Sequence, residues 1–158
     1  MPERPMVVLL PPAVLFCSLV ERPEYLRLVG HLRTRLEPWG VRLALARDSP
    51  QSDRSIEEKW KELINVSPGV LALWSRESSS SSAVLHEYAY ARSQGKPIHL
   101  IRVPSWGRPL PVLPMDFADR EWFKLDGAAP STGDWILEEA AFQTTVRRIY
   151  EFAAGLPR

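Results

Sequence analysis

The chain has 158 residues, of which 45% are hydrophobic and 25% are charged, and its formal net charge is +1. This length suits one globular domain that can bury a core without disulfide bonds, and we expect residues 1–158 to form a single domain. The interspersed charges exclude the strongly basic surface that is typical of nucleic-acid binding proteins.

The beginning of the chain decides what to expect about membranes and location. The apolar stretch "MVVLLPPAVLFCSLV" is interrupted by Pro11 and Pro12, and it is shorter than the ~20 apolar residues that a spanning helix needs. The same proline pair makes a secretory signal a poor fit. The only cysteine, Cys17, leaves no internal disulfide and favours a reducing compartment. We therefore expect a soluble cytoplasmic protein with no membrane contact.

The first half of the chain alternates between strand and helix patterns. Ala13–Ser18 and Val41–Arg47 are short apolar runs, typical of strands that are covered on both faces. Pro23 suits the first turn of the helix between them. The apolar residues of that helix recur at helical spacing: Leu26, Val29, Leu32 and Leu36.

A polar loop, "RDSPQSDRS", leads into the second helix. Ser55 and Glu58 stand three residues apart, which is the spacing of a capping box at a helix start. The predicted apolar stripe of the helix consists of Ile56, Trp60, Leu63 and Ile64. Gly69–Ser75 is predicted as the third buried strand.

Five consecutive serines lead into the next helix. This helix is predicted from about Ser82 to Gln94, and Gly95 ends it. Pro97–Val103 is predicted as the fourth strand and Arg120–Asp126 as a short fifth one. The proline-rich stretch between them, Pro104–Pro114, is predicted as an ordered loop anchored by Trp106. A last helix is predicted after a cap at Asp134, with one apolar face formed by Phe142, Val146, Ile149 and Ala153.

Strands that alternate with helices predict an α/β fold. We expect a flavodoxin-like three-layer sandwich, in which a central parallel sheet of about five strands is flanked by helices. In such sheets ligands bind at the carboxyl ends of the strands, where the helix N-termini also favour anions. The predicted site therefore lies in the loops that follow the strands.

Common catalytic fingerprints are missing from the sequence. It has no GxGxxG, no GxxxxGK[ST] and no GxSxG motif, which argues against the standard dinucleotide, P-loop and serine-hydrolase sites. The segment "HEYAY" resembles a zinc-binding HExxH motif, but Tyr90 stands where the second histidine is required. We expect no metal site and no bound cofactor.

Glu87 is the unusual residue of the chain. Its neighbours at helical spacing are Val84, Tyr90 and Ala91, so a carboxylate borders the apolar face of a helix. A charge there is costly unless it is paired or partly solvated. It is either a rim glutamate paired with an arginine such as Arg76 or Arg92, or a carboxylate facing a cleft. In a cleft it would stabilise the ribosyl cation formed when a glycosidic bond breaks.

The order of these motifs resembles that of a bacterial Toll/interleukin-1 receptor (TIR) domain, over roughly residues 13–106. The segment "VLFCSLVERPEYL" is similar to the first strand and helix of the family, "RDSPQSDRS" to its BB loop, and "AVLHEYAYARSQGKPIHLI" to its glutamate-bearing helix and next strand. The resemblance implies an enzyme of the NAD-consuming type, an NAD nucleosidase that acts as hydrolase or cyclase in defence or signalling. NAD would be its substrate, and self-association or a separate sensor protein would activate it.

The resemblance also implies roles for particular residues. Glu87 stands at the position of the family's essential catalytic glutamate. Substrate-binding residues would come from the loops around it: Ser18, Leu19, Arg47, Asp48, Trp74 and Ser75.

Two other functions stay open at this point. Many TIR domains are adaptors that only associate with other TIR domains. The helix "HEYAYARSQGKPI" also resembles that of nucleoside 2-deoxyribosyltransferases, in which a glutamate attacks the sugar.

Overall fold

The computed structural model describes residues 13–48, 55–103, 123–124, 127–128, 136–137 and 139–156. These residues form four α-helices and seven strands, which alternate along the chain as far as the fourth strand. The strands are β1 (Ala13–Ser18), β2 (Val41–Ala44), β3 (Gly69–Trp74), β4 (Ile98–Arg102), β5 (Phe123–Lys124), β6 (Gly127–Ala128) and β7 (Ile136–Leu137). The helices are α1 (Pro23–Leu36), α2 (Ile56–Val66), α3 (Ser82–Ser93) and α4 (Glu139–Ala154).

The central sheet has five strands in the order β2-β1-β3-β4-β5, and all of its pairs are parallel. This is the strand order of flavodoxin-like folds, whose ligands bind where the order reverses next to the first strand. The predicted fold class is therefore confirmed. A separate antiparallel pair, β6 with β7, was not predicted, because two-residue strands leave no periodic pattern.

Helices cover both faces of the sheet, and the alternation of side chains along β1 shows how. Leu15 and Cys17 belong to the core that the sheet forms with α1 and α4, whereas Phe16 packs with Trp60 and Ala91 from α2 and α3. Because successive side chains of a strand point to opposite faces, Ser18 lies on the same face as Phe16. Ser18 is therefore covered by the α2 and α3 layer.

The predicted apolar faces of the helices are mostly confirmed. The four predicted residues of α4 are all buried: Phe142, Val146, Ile149 and Ala153. In α2, Trp60 and Ile64 are buried, but Ile56 is 57% exposed. The prediction for Ile56 was wrong: Ile56 is the first residue of α2, and the buried positions of the helix begin one turn later, at Trp60.

Several predicted boundaries differ from those observed. The second strand ends at Ala44 because a 3-10 turn follows at Ala46–Asp48. Of the predicted fifth strand, Arg120–Asp126, the structure describes Phe123 and Lys124, and these two residues form β5. The last helix begins at Glu139, and its predicted cap Asp134 lies outside the described residues, as do the proline-rich stretch 104–114 and Trp106.

Candidate functional site

Glu87 lies on the side of α3 that faces the sheet. The hydroxyl oxygen of Ser81 accepts a hydrogen bond from the Val84 backbone N–H and so caps the start of the helix. Val84 and Ala91, three residues before and four after Glu87, are both buried. The predicted placement on the apolar border of the helix agrees with this geometry, which brings Glu87 over the carboxyl end of β1.

Ser18 is the hydrogen-bond partner of this carboxylate. The Ser18 hydroxyl donates to Glu87 Oε1 at 2.7 Å, and Ser18 itself is only 3% exposed. This distance is typical of a hydroxyl that donates to a charged acceptor. The sequence analysis considered Arg76 or Arg92 as the partner of Glu87. The structure instead pairs Glu87 with Ser18, which lies 69 positions away in the chain.

Burial changes the acidity of Glu87. Loss of solvation raises its pKa to about 7, the hydrogen bond from Ser18 lowers that pKa, and the charge of Glu21 raises it. A carboxyl group with this pKa is divided between its acid and its anion near neutral pH. It can therefore stabilise a positive charge or exchange a proton under ordinary conditions.

Cys17 lies next to Ser18 but points into the opposite layer. Burial raises the pKa of its thiol to about 12, so it stays protonated and unreactive at neutral pH. Its burial agrees with the prediction that the strand Ala13–Ser18 is covered on both faces.

Arg47 and Asp48 diverge, although both follow β2. Arg47 approaches Glu21 of the loop after β1, with Nη1 3.6 Å from Oε1, and so lies near the Glu87 side. Asp48 instead accepts a hydrogen bond of 2.6 Å from Arg33 of α1. The structure therefore keeps only Arg47 close to the groups around Glu87.

Asp48 lines a cavity at the outer edge of β2. This cavity has a volume of about 520 Å³ and mixes charged with apolar walls. Its lining residues are Val14, Arg33, Glu37, Arg42, Leu43, Ala44, Leu45, Asp48 and Leu63. Arg33 also donates to the Leu43 carbonyl oxygen at 2.8 Å, which closes part of the strand edge.

Three other predicted binding residues are buried. Trp74 is 2% exposed and its ring meets that of Tyr88 edge-on, with centroids 6.0 Å apart. Leu19 belongs to the core on the α1 side. Ser75 is buried, and its backbone N–H donates a 2.9 Å hydrogen bond to the hydroxyl oxygen of Ser78. Contact of these side chains with a substrate stays a prediction.

β3 also extends past β1 at this edge. Ser18, the last residue of β1, is aligned with Ala72, so Trp74 stands two residues further along. At about 3.3 Å per residue, the offset is about 7 Å. The end of β3 therefore projects beyond the pair of Ser18 and Glu87 at this edge.

Sequence reasoning missed one contact at this edge. The Tyr25 hydroxyl of α1 donates to Glu77 Oε1 at 2.6 Å. This bond connects the serine-rich loop after β3, residues 75–81, to the first helix. The two residues are 52 positions apart, and no spacing rule connects them. The serines themselves serve the loop, since Ser78 and Ser81 both accept backbone hydrogen bonds.

Two further properties bear on the kind of site. Within the described ranges, no three potential metal ligands among His, Cys, Asp and Glu come together. Of the four helices, as far as the structure describes them, none has both the length and the apolar character needed to cross a bilayer.

Three solved structures with similar folds identify the architecture. The TIR domain of the Toll-related receptor TRR-2 from Hydra magnipapillata superimposes with a TM-score of 0.66 at 13% identity, over 90% of this chain and 98% of that chain. A prokaryotic SEFIR domain gives a TM-score of 0.55 at 15% identity, over 85% and 96%. The TIR domains of the activated Roq1 resistosome, which directly recognises the pathogen effector XopQ, give 0.50 at 18% identity, over 58% and 57%.

Sequence comparison gives no such match, since no family model and no curated protein matches the chain. Identities of 13–18% with retained topology establish similarity of fold alone. We conclude that this chain has the fold of a TIR-like domain.

Proposed function

We propose that this chain is an NAD-cleaving enzyme in which Glu87 acts on the ribose attached to nicotinamide. The observation that carries the proposal is the partly buried Glu87 carboxylate, held by Ser18 at the carboxyl edge of a TIR-like sheet. A buried carboxylate with a raised pKa at the ligand-binding edge of a fold is a frequent mark of a catalytic group.

The reaction breaks the bond between C1′ of the ribose and the pyridinium nitrogen. The bonding electron pair leaves with nicotinamide, which becomes neutral, and the positive charge passes to the ribosyl oxocarbenium ion. The Glu87 carboxylate stabilises that cation electrostatically, because the opposite charge is fixed in place before the bond breaks. Addition of water with loss of a proton then gives ADP-ribose, and attack by an adenine nitrogen gives a cyclic isomer.

Binding energy from the rest of the nucleotide would orient the reacting sugar. Arg47 and the N-terminal amides of α3 would attract the diphosphate. The projecting end of β3 would cover the nicotinamide side. Each of these contacts with NAD is a prediction, based on the position of the group at the carboxyl edge of the sheet.

Release of nicotinamide from NAD by concentrated protein tests this proposal. Glu87→Gln keeps the shape of the side chain and its ability to accept the Ser18 hydrogen bond, but it removes the charge. We expect release to fall by at least about 100-fold, a loss in line with removal of one preorganised electrostatic group. Equal release by wild type and variant would reject the role of Glu87.

Glu77→Gln is the matched control. Glu77 is also a hydrogen-bonded carboxylate at this edge, but its partner is Tyr25 of α1, and glutamine can still accept that bond. Release by this variant should stay within about threefold of wild type.

Deoxynucleosides should not exchange bases in the same assay, whereas base exchange without NAD cleavage would favour a deoxyribosyltransferase.

A second candidate is a protein-association module without catalysis. The observation in its favour is that the similar folds include a domain of a Toll-related receptor and domains of a resistosome assembly. A module of this kind would leave NAD intact at every protein concentration. Its self-association, measured by analytical ultracentrifugation, would be the same for wild type and Glu87→Gln.

A further inference from the structure

Ser18 occupies a position that suits a contact with the catalytic group better than a contact with substrate. Its side chain lies on the face of β1 that α3 covers, and it is almost completely buried. The single proton of its hydroxyl is already donated to Glu87 Oε1, so a substrate acceptor would have to displace Glu87 to bind that proton. The resemblance implied that Ser18 binds substrate, but the structure shows its hydroxyl bound to Glu87 instead.

The hydrogen bond has consequences for the geometry of Glu87. A glutamate side chain has three rotatable bonds, and one fixed oxygen removes much of that freedom. Among the described residues Ser18 is the hydrogen-bond donor to Glu87, and it contacts Oε1. The second oxygen, Oε2, has no hydrogen-bond donor among the described residues.

From this geometry we propose that Ser18 is a positioning residue, whose hydroxyl anchors Glu87 by Oε1, favours its anion and leaves Oε2 to face the ribose of the substrate. This inference rests on the proposed NAD-cleaving function. A hydroxyl donor stabilises a carboxylate more than it stabilises the neutral acid. Ser18 would thus offset part of the cost of burying the charge that the reaction needs.

Other charged groups near Glu87 do not supply this effect. Glu21, on the loop after β1, acts in the opposite direction by favouring the neutral acid. Arg47, on the turn after β2, pairs with Glu21. Cys17 stays a neutral thiol, and Glu77 on the loop after β3 is engaged with α1. Within the described part of the chain, the Ser18 hydroxyl is the group that favours the anion through direct contact.

Ser18→Ala tests the inference, with a direct and a functional measurement. In ¹³C-glutamate-labelled protein, the Glu87 carboxyl signal is assigned by its absence in Glu87→Gln. Its titration midpoint should move to higher pH in Ser18→Ala. Nicotinamide release by the variant should be about tenfold below wild type at pH 6, because one unit of pKa is a tenfold change in the ionised fraction. At pH 9 it should recover to within about threefold.

Ser67→Ala is the matched control. Ser67 is also a completely buried serine, but it lies before β3 at the opposite edge of the sheet, where its hydroxyl donates to the Leu63 carbonyl oxygen at 2.6 Å. Its removal should leave both the Glu87 titration and the pH dependence of release unchanged. If Ser18→Ala fails to fold, Ser18→Cys provides the same test, since a thiol is a weak donor of similar shape.

The two measurements separate this inference from the proposed function. An unchanged Glu87 midpoint in Ser18→Ala overturns the positioning role, even where NAD cleavage depends on Glu87. A loss of release that is the same at pH 6 and pH 9 also overturns it, since a packing defect would not recover with ionisation. Release that is independent of Glu87 overturns the proposed function itself, whatever the titration shows.

Discussion

At the scale of single residues, Glu87 should reduce the stability of the fold at neutral pH. Its pKa is about 7 in the folded chain, against an ordinary value of 4.5. Between these values the folded chain holds a proton that the unfolded chain has lost, so stability falls as pH rises from about 4.5 to about 7. Such a cost is expected of a catalytic carboxylate, the role that we propose for Glu87.

Glu87→Gln should therefore stabilise the protein above pH 7. A neutral amide is not penalised by burial as a carboxylate is, and the gain should be about 1 to 3 kcal/mol in the free energy of unfolding at pH 8. Near pH 4.5 the variant and wild type should be almost equally stable. Urea unfolding at the two pH values measures the difference.

Glu57→Gln is the control, and its expected effect on stability at pH 8 is opposite to that of Glu87→Gln. Glu57 is fully exposed on α2, and its hydrogen bond with Lys61 lowers its pKa. This pair contributes a little stability above the ordinary pKa of glutamate and loses it in acid. Removing it should slightly destabilise the protein at pH 8. A destabilised Glu87→Gln at that pH would contradict the assigned cost of burial.

At the scale of elements, the start of α3 sets where Glu87 lies. Ser81→Ala removes the side chain that accepts from the Val84 N–H at 3.2 Å, and loss of such a cap costs about 1 kcal/mol. Fraying of this first turn should also lower nicotinamide release. Thermal unfolding and the release assay, run on the same sample, measure both effects.

Ser55→Ala makes the same change at the start of α2, where Ser55 accepts from the Glu58 N–H at 3.1 Å. The cost in stability should be similar, about 1 kcal/mol. Release should be unaffected, because α2 carries none of the proposed site residues. Equal loss of activity in the two variants would indicate that general stability, and not the position of Glu87, explains the result.

The contact of β3 with the residues at the end of α4 gives a second test at this scale. A Cβ added at Gly69 would lie 2.7 Å from Leu156 Cδ1, which is too close for normal packing. Gly69→Ala should cost about 1 kcal/mol, at the low end for overpacked positions, because the atoms it meets are the ends of side chains that can shift. Gly30→Ala, where a Cβ meets nothing within 4 Å, should stabilise α1 by up to about 1 kcal/mol. Urea unfolding of both variants checks this contrast.

At the scale of the whole molecule, the sequence predicted the layers better than it predicted the contacts. Continuous apolar runs and helical spacing were enough to predict a parallel sheet with helices on both faces, because each depends only on local pattern. Glu87 stood out for the same reason, as a charge on an apolar border. Its placement on the sheet-facing side of α3 agrees with the structure.

What could not be predicted depends on residues that are distant in the chain. The partner of Glu87 lies 69 positions away, and nothing around Ser18 distinguishes it from any other serine at the end of a strand. Arg47 and Asp48 are neighbours in sequence, yet they turn to different parts of the molecule, toward Glu21 and Arg33. Such choices are made by tertiary packing, which leaves no spacing rule in a single sequence.

The most direct test of the account is whether the dinucleotide contacts Glu87. The carboxyl signal of Glu87 would be followed by ¹³C NMR while a carbocyclic, non-cleavable analogue of NAD is added up to about 5 mM, above the usual range of KM values. We predict a saturable shift of this signal with little change at the exposed Glu57. A Glu87 signal that stays constant over the whole titration would contradict a site in which this carboxylate touches the sugar.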